Sequence, residues 1–182
     1  MPASSYNLKP LGPAPLSKSK FTHAKQCELY PWLEVRTDLP QVEPDAMTQA
    51  RFDAGDAVGE LARQRWDNRC AAAGRKPGVR VTDDPRLHAQ AVAETAAALA
   101  DGATLIHEAA FTHRGVKVRI DVLERLDDGT FALHEVKSSA RYDEKKYLFD
   151  AAVQLWVARA EGLDVSRVTL THLNGDYVWP GG

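Results

Sequence analysis

The sequence is poor in cysteine: of 182 residues only Cys27 and Cys70 are thiols, far apart. That excludes a disulfide-stapled scaffold and the dense ligand spacing of a structural zinc site. Long apolar runs are missing, as is a positive-then-apolar pattern at the N-terminus. Neither a spanning helix nor a secretory signal is expected, and a cytoplasmic address without a membrane partner follows. Basic charge is not in excess either. The formal net charge is −2, so any nucleic-acid footprint has to be local. Internal repeats are also absent. What is present is 44% hydrophobic and 26% charged sequence, enough apolar surface for one core. Pro2, Pro10, Pro13 and Pro15 among small polar residues predict an extended or disordered leader over residues 1–15, followed by a single domain over residues 16–182.

The stretch that organises the chain is VKVRIDVLERLDDGTFALHEVK, residues 116–137. Val116, Val118, Ile120 and Val122 alternate with Lys117, Arg119 and Asp121, the period of a strand with two unlike faces. Phe131, Leu133, Glu135 and Lys137 share one face of a second strand. The turn between them decides the register. A two-residue loop at Asp128-Gly129 sets Asp121 opposite Val136. A three-residue loop of Asp127, Asp128 and Gly129, with Gly129 left-handed, sets Asp121 opposite Glu135, and this arrangement is expected. Two adjoining carboxylates repel unless a cation lies between them, and Lys137 stands on the face of Glu135. Carboxylates with a nearby carbonyl such as that of Val136 suit a hard ion like Mg²⁺, which also takes water and phosphate oxygens. Lys137 then has two possible jobs: orienting or deprotonating an attacking water, and neutralising charge on a pentacovalent phosphate. The plain alternative is a solvated Glu-x-Lys ion pair, which requires Asp121 and Glu135 to lie on different faces of the sheet.

Asp121 followed across a hairpin by Glu135-Val136-Lys137 resembles the PD-(D/E)XK nuclease superfamily. In the helix expected over residues 142–159, Tyr147, Asp150, Gln154 and Ala158 form one stripe. Gln154 matches the first position of the Gln-x-x-x-Tyr motif in the RecB-like branch, which includes the CRISPR-associated exonucleases. Ala158 stands where that motif has tyrosine, and Tyr147 is the nearest substitute. The resemblance implies an α/β fold with a mixed central sheet flanked by helices, the PD-(D/E)XK or restriction-endonuclease-like core. It implies metal-dependent hydrolysis of DNA, single-stranded or with free ends, by in-line attack of water. Asp121, Glu135, Lys137 and Gln154 are the implied catalytic residues, with Mg²⁺ or Mn²⁺ at Asp121, Glu135 and the Val136 carbonyl. Relatives also place an acidic residue on the first strand near the metal, here Glu108. Residues 55–59 resemble a Gly-x-x-x-His motif whose histidine reaches the metal; Gly59 holds that position, and Glu60 is the obvious substitute. Cys27 sits where relatives have the first cysteine of an iron–sulfur cluster, but later cysteines are missing, so no cluster is expected. A second reading keeps the fold with a degraded site, as a nucleic-acid-binding or protein-interaction module; Gly59 and Ala158 favour it.

The remaining elements follow from periodicity and punctuation. A helix is expected from Ser17 or Ser19 as cap to near Trp32-Leu33. A second is expected over residues 44–72, with Phe52, Val58, Leu61, Ala62 and Trp66 as its apolar marks and Arg63, Arg65 and Arg69 on its outer face. A loop over residues 75–85 holds a short extended piece at Val79-Arg80-Val81. An alanine-rich helix over residues 85–100 leaves His88 at the surface. A strand over residues 103–113 puts Leu105, His107, Ala109 and Phe111 on one face and Ile106, Glu108, Ala110 and Thr112 on the other. Arg141, Lys145 and Lys146 lead into the Gln154 helix and, with Tyr147, form the expected contact to the DNA backbone. A last strand covers residues 165–174. The chain is expected to be either a minimal stand-alone nuclease or part of a larger protein, working in a defence or repair complex.

Overall fold

Alternating apolar residues set β3 (Leu105–His113), β4 (Val116–Arg125) and β5 (Phe131–Lys137) side by side as an antiparallel meander. The computed structural model describes residues 16–36, 43–141 and 143–181, without the Lys146 side chain. The leader, Tyr142 and the expected backbone contact of Lys146 lie outside the described residues. The two flanking strands, β2 (Val79–Arg80) and β6 (Val165–His172), run parallel to β3 and β5. Parallel neighbours need crossover connections, and α4 (His88–Ala100) and α5 (Glu144–Ala160) supply them. The result is a six-stranded mixed sheet in the order β2-β3-β4-β5-β6, with β1 (Leu16–Ser17) added to the start of β4.

Both faces of the sheet are covered. Ala91 and Ala98 of α4 and Val157 and Ala158 of α5 join Ile106, Ile120 and Leu133 in the larger core. On the opposite face α3 (Ala46–Ala72) packs Ala62, Trp66 and Cys70 against Leu105 and Val122. This is the α/β architecture with flanking helices that the sequence implied. Among the described residues no helix is long and apolar enough to cross a membrane.

The hairpin takes the expected register. Val122 pairs with His134 and Arg125 with Phe131. The Leu126 N–H donates to the Thr130 carbonyl and the Gly129 N–H to that of Leu126, at 2.8 and 2.9 Å. Gly129 closes this three-residue loop at φ +85°, a conformation that costs other residues about 1 kcal/mol or more. Continuing the ladder one step brings Asp121 beside Glu135, and there the two strands part. The Val136 N–H donates to Asp121 Oδ2 at 2.6 Å instead of to a strand carbonyl. Farther back, Leu16 and Ser17 of β1 pair with Val116 and Lys117 of β4. Asp121 therefore stands at a fork between β5 and β1.

Several expectations need correction. The first helix is two: α1 (Lys18–Gln26), capped by Ser17, and α2 (Tyr30–Glu34). Pro31 enforces the break, because its ring clashes with the carbonyl of Cys27 in a continuous helix. In α3 only the C-terminal half meets the sheet. Ala62, Trp66 and Cys70 follow at i, i+4 and i+8, while Phe52 and Leu61 are exposed. His88 is buried, with Nε2 2.9 Å from Thr112 Oγ1, because the 3₁₀ turn Pro85–Leu87 leaves Leu87 outside and turns His88 inward. In β3 the strict alternation breaks at Glu108, whose φ is +61°. Its carboxylate meets Arg63 of α3, the helix that His107 also contacts through Asp67.

That last contact supports a prediction. Asp67 Oδ1 accepts from the Gly78 N–H at 2.8 Å and lies 2.9 Å from His107 Nε2. A methyl group at Gly78 falls inside contact distance of the buried His107 ring and touches Leu105. Gly78→Ala is expected to destabilise the protein by about 2 kcal/mol through overpacking, read as a lowered urea midpoint with unchanged slope.

Candidate functional site

The fork places two sets of side chains next to each other. The first surrounds a cavity of about 180 Å³ between α3 and the sheet, lined by Gly55, Gly59, Arg63, Glu108, Asp121 and Val136 among others. Burial pushes the Asp121 carboxyl up, and the charge of Glu135 pushes it further, to about 7; Lys18 and the Val136 N–H act the other way. Glu108 is also raised by burial, with Arg63 opposing. Arg63 Nη1 lies 3.2 Å from Glu108 Oε1, and its Nη2 lies 2.8 Å from Glu60 Oε2.

The second set centres on Glu135, which is only 2% exposed. Its Oε1 takes Lys137 Nζ at 2.6 Å and Lys18 Nζ at 2.7 Å, while Oε2 accepts from the Gln154 amide. Burial alone raises Glu135, but the two ammonium groups outweigh it and hold the carboxyl below its ordinary value. Lys137 Nζ also donates to Asp150 Oδ2 at 3.1 Å, and Asp150 Oδ1 accepts from Thr22 Oγ1 at 3.0 Å. Burial works against the charge on Lys137, yet Glu135 and Asp150 together raise its pKa. In this arrangement Lys137 is an ammonium ion and not a base. Burial removes the solvated part of the plain Glu-x-Lys reading, whereas its other condition is met: Asp121 lines the α3-side cavity and Glu135 turns to the α5 side.

The structure thus brings Glu135, Lys137 and Gln154 into direct contact and sets Asp121 beside them. Asp121, Glu108 and Val136 share the α3-side cavity; Glu135 opens instead onto a cavity of about 200 Å³ that it lines with Tyr147 and Leu170. Glu60 is not part of this group. It is half exposed, turned toward Arg63 and Arg80, and these arginines hold its carboxyl low. Gly59 faces the cavity, and the step of about 100° to the next residue carries Glu60 to the rim. Tyr147 is buried, with its hydroxyl 2.8 Å from Ser139 Oγ and its ring 5.5 Å from Lys137 Nζ. It packs inside the site and is no surface platform for DNA, because its place on the Asp150–Gln154 stripe faces the sheet. Arg141, ahead of α5, and Lys145 in its first turn are exposed. Ala158 is fully buried in the core.

Two participants escaped the sequence reading. Lys18 lies 117 positions from Glu135 and opens α1, so nothing in its neighbours marks it. Arg63 appeared as one of three outer arginines, whereas its side chain is 15% exposed and turned to Glu108.

The donors around Asp121 are oxygens, the type that suits Mg²⁺ or Mn²⁺. Burial and neighbouring negative charge raise both Asp121 and Glu108, a strain that a divalent counter-charge relieves. Asp121 and Glu108 line one cavity with the Val136 backbone, while Glu135 lines another. Among the described residues no group of three or more His, Cys, Asp and Glu side chains surrounds one point. No protein-family model matches the chain, and no curated protein matches it.

Proposed function

We propose that this chain is a divalent-metal-dependent nuclease of the RecB-like PD-(D/E)XK type, hydrolysing DNA phosphodiester bonds from free ends or in single strands. The observation that carries the reading is the buried Lys137–Glu135–Gln154 cluster, joined through the Val136 N–H to Asp121, which shares its own cavity with Glu108. Asp121, Glu108 and the Val136 carbonyl on the α3 side, with Glu135 turned toward them, would hold Mg²⁺ or Mn²⁺, which would supply activation of water and of the scissile phosphate. Lys137, fixed as an ammonium ion, neutralises charge growing on the phosphoryl oxygens. Gln154 fixes the Glu135 carboxylate, which in turn aims Lys137. Arg141, Lys145 and Lys146 at the start of α5 receive the DNA backbone. A cytoplasmic place in DNA repair or phage defence, alone or within a larger protein or complex, accords with this chemistry.

The test is cleavage of end-labelled linear and circular DNA, single- and double-stranded, with Mn²⁺, Mg²⁺ or EDTA. Cutting in either metal but not in EDTA is expected, and resistance of the circles alone shows that a free end is needed. A folded protein that cuts nothing in any metal overturns the reading.

Two observations favour a second reading, a binding module with a degraded site: Gly59 stands where the resemblance has histidine, and Glu135 is already neutralised by two lysines. Restoring the histidine separates the two. A Cβ at Gly59 meets nothing nearer than Arg63 Nη1 at 3.7 Å, and Gly59 lines the same cavity as Asp121 and Glu108. Gly59→His is expected to tighten Mn²⁺ binding about tenfold, roughly 1.4 kcal/mol, by calorimetry. An unchanged affinity shows that the cavity is not a metal site.

A further inference from the structure

Glu135 holds two ammonium groups on one oxygen, and the two are not equivalent. Lys137 has a second carboxylate, Asp150, which Thr22 fixes in turn. For Lys18, Glu135 is the one carboxylate at ion-pair distance among the described residues, with the Asp121 carboxyl feeling its charge from farther off. Lys18 is also differently mounted. It is the first residue of α1, directly after the two residues of β1 that pair with β4. The Leu16 N–H bond to the Gly115 carbonyl and the Ser17 cap hold this backbone without using the Lys18 side chain. The ammonium therefore sits at the fork on a flexible stem, 21% exposed.

We infer that Lys18 is a second phosphate-contacting lysine, parked on Glu135 until that carboxylate turns to a divalent ion. The inference rests on the metal-dependent nuclease reading. A Glu135 oxygen that ligates a divalent ion does not keep two ammonium groups within 3 Å, because like charges then crowd one atom. Lys137 stays in place through Asp150. Lys18 loses its partner, and the phosphodiester entering the fork is the anion within reach. Without metal, Lys18 is occupied by Glu135 and adds little to DNA affinity. With metal, it adds one charge-assisted hydrogen bond. Lys18 and the ion thus compete for Glu135 in the absence of DNA and cooperate in its presence.

The test uses the full chain and a short single-stranded oligonucleotide followed by fluorescence anisotropy, in EDTA and in Ca²⁺, a hard oxygen-seeking ion. Lys18→Met is expected to weaken binding about tenfold in Ca²⁺ and less than about twofold in EDTA. Calorimetry without DNA is expected to show Ca²⁺ bound several-fold more tightly by the variant, since one competitor for Glu135 is gone. Lys18→Gln, which keeps a hydrogen-bond donor for Glu135 without the charge, behaves the same way and serves if the methionine variant is poorly folded. Equal losses in EDTA and Ca²⁺ overturn the inference in favour of a general surface cation. No loss in Ca²⁺, or weaker Ca²⁺ binding by both variants, overturns it in favour of a structural tie. A wild type that binds DNA but cuts none with any metal ends the nuclease reading, and the same comparison still decides the role of Lys18. A wild type that binds no DNA in Ca²⁺ overturns the inference itself.

Discussion

Lys137→Met is expected to cut DNA about a thousandfold more slowly than the wild type at saturating Mn²⁺, a loss of roughly 4 kcal/mol of transition-state stabilisation. The size follows from the position of the ammonium. Glu135 and Asp150 grip Lys137 from two sides, so it is oriented before substrate arrives and pays no reorganisation cost during the reaction. Methionine keeps the length of the stem and removes the charge. Folding survives the change, because Lys18 remains on Glu135 and Thr22 remains on Asp150; a urea titration checks this. Lys137→Arg is expected to recover little, since a planar guanidinium does not occupy the space of a compact ammonium between two carboxylates. DNA affinity in Ca²⁺ should change far less than the rate, which marks an interaction made in the transition state rather than in binding. A rate within about threefold of the wild type removes Lys137 from the mechanism.

The part of this site that lies within one hairpin was legible in the sequence. Period-two alternation located both strands, though Val122 leaves the face of Val118 and Ile120 for the α3 side, and the need for a left-handed residue at Gly129 chose the three-residue loop that sets Asp121 next to Glu135 but on the α3 side. Gln154 was legible as a polar residue in an apolar helical run, and it donates to Glu135 as its stripe required. What depended on the packing of separate elements was not legible. Lys18 reaches Glu135 because β1 joins β4 at the fork, a pairing of two residues with no pattern of its own. Arg63 and Glu60 are three residues apart on one helix, yet the first turns inward and the second outward. That choice depends on which arc of α3 meets the sheet, and the arc is set by Ala62, Trp66 and Cys70 rather than by the more hydrophobic Phe52 and Leu61. Glu108 left the alternation of β3 through a positive φ that no propensity foretells in a glutamate. Pro31 was a readable breaker, and it ended the helix that the apolar spacing had extended through it.

Asp121→Asn is expected to stabilise the metal-free protein above pH 7 while removing its cleavage, and the sign follows from linkage. Folding raises the Asp121 carboxyl from 3.8 to about 7, so the folded state holds that proton more tightly than the unfolded chain. Stability from this group is complete below pH 3.8 and declines as pH rises toward and through about 7. Glu135 runs the other way. Its lowered carboxyl stabilises above its ordinary 4.5 and loses that contribution as pH falls below it. For these two groups the metal-free protein is therefore most stable near the ordinary carboxylate range, weakens as pH rises from there to about 7, where Asp121 ionises against Glu135, and levels off above it. The displacement of Asp121 is worth on the order of 4 kcal/mol once ionisation is complete. Asparagine keeps an acceptor for the Val136 N–H and carries no charge, so the variant's advantage over the wild type should be near zero only below the ordinary Asp121 value and should widen by about 3 kcal/mol between pH 5 and pH 8.5, by urea denaturation. Saturating Mg²⁺ should close much of the gap at pH 8.5, because the wild type binds the ion through the carboxylate that the variant lacks. Parallel pH profiles for the two proteins sink the assignment of the alkaline loss to Asp121. A gap that opens with pH and closes with Mg²⁺ identifies a carboxylate kept at a cost to stability, which is the condition of a residue retained for chemistry.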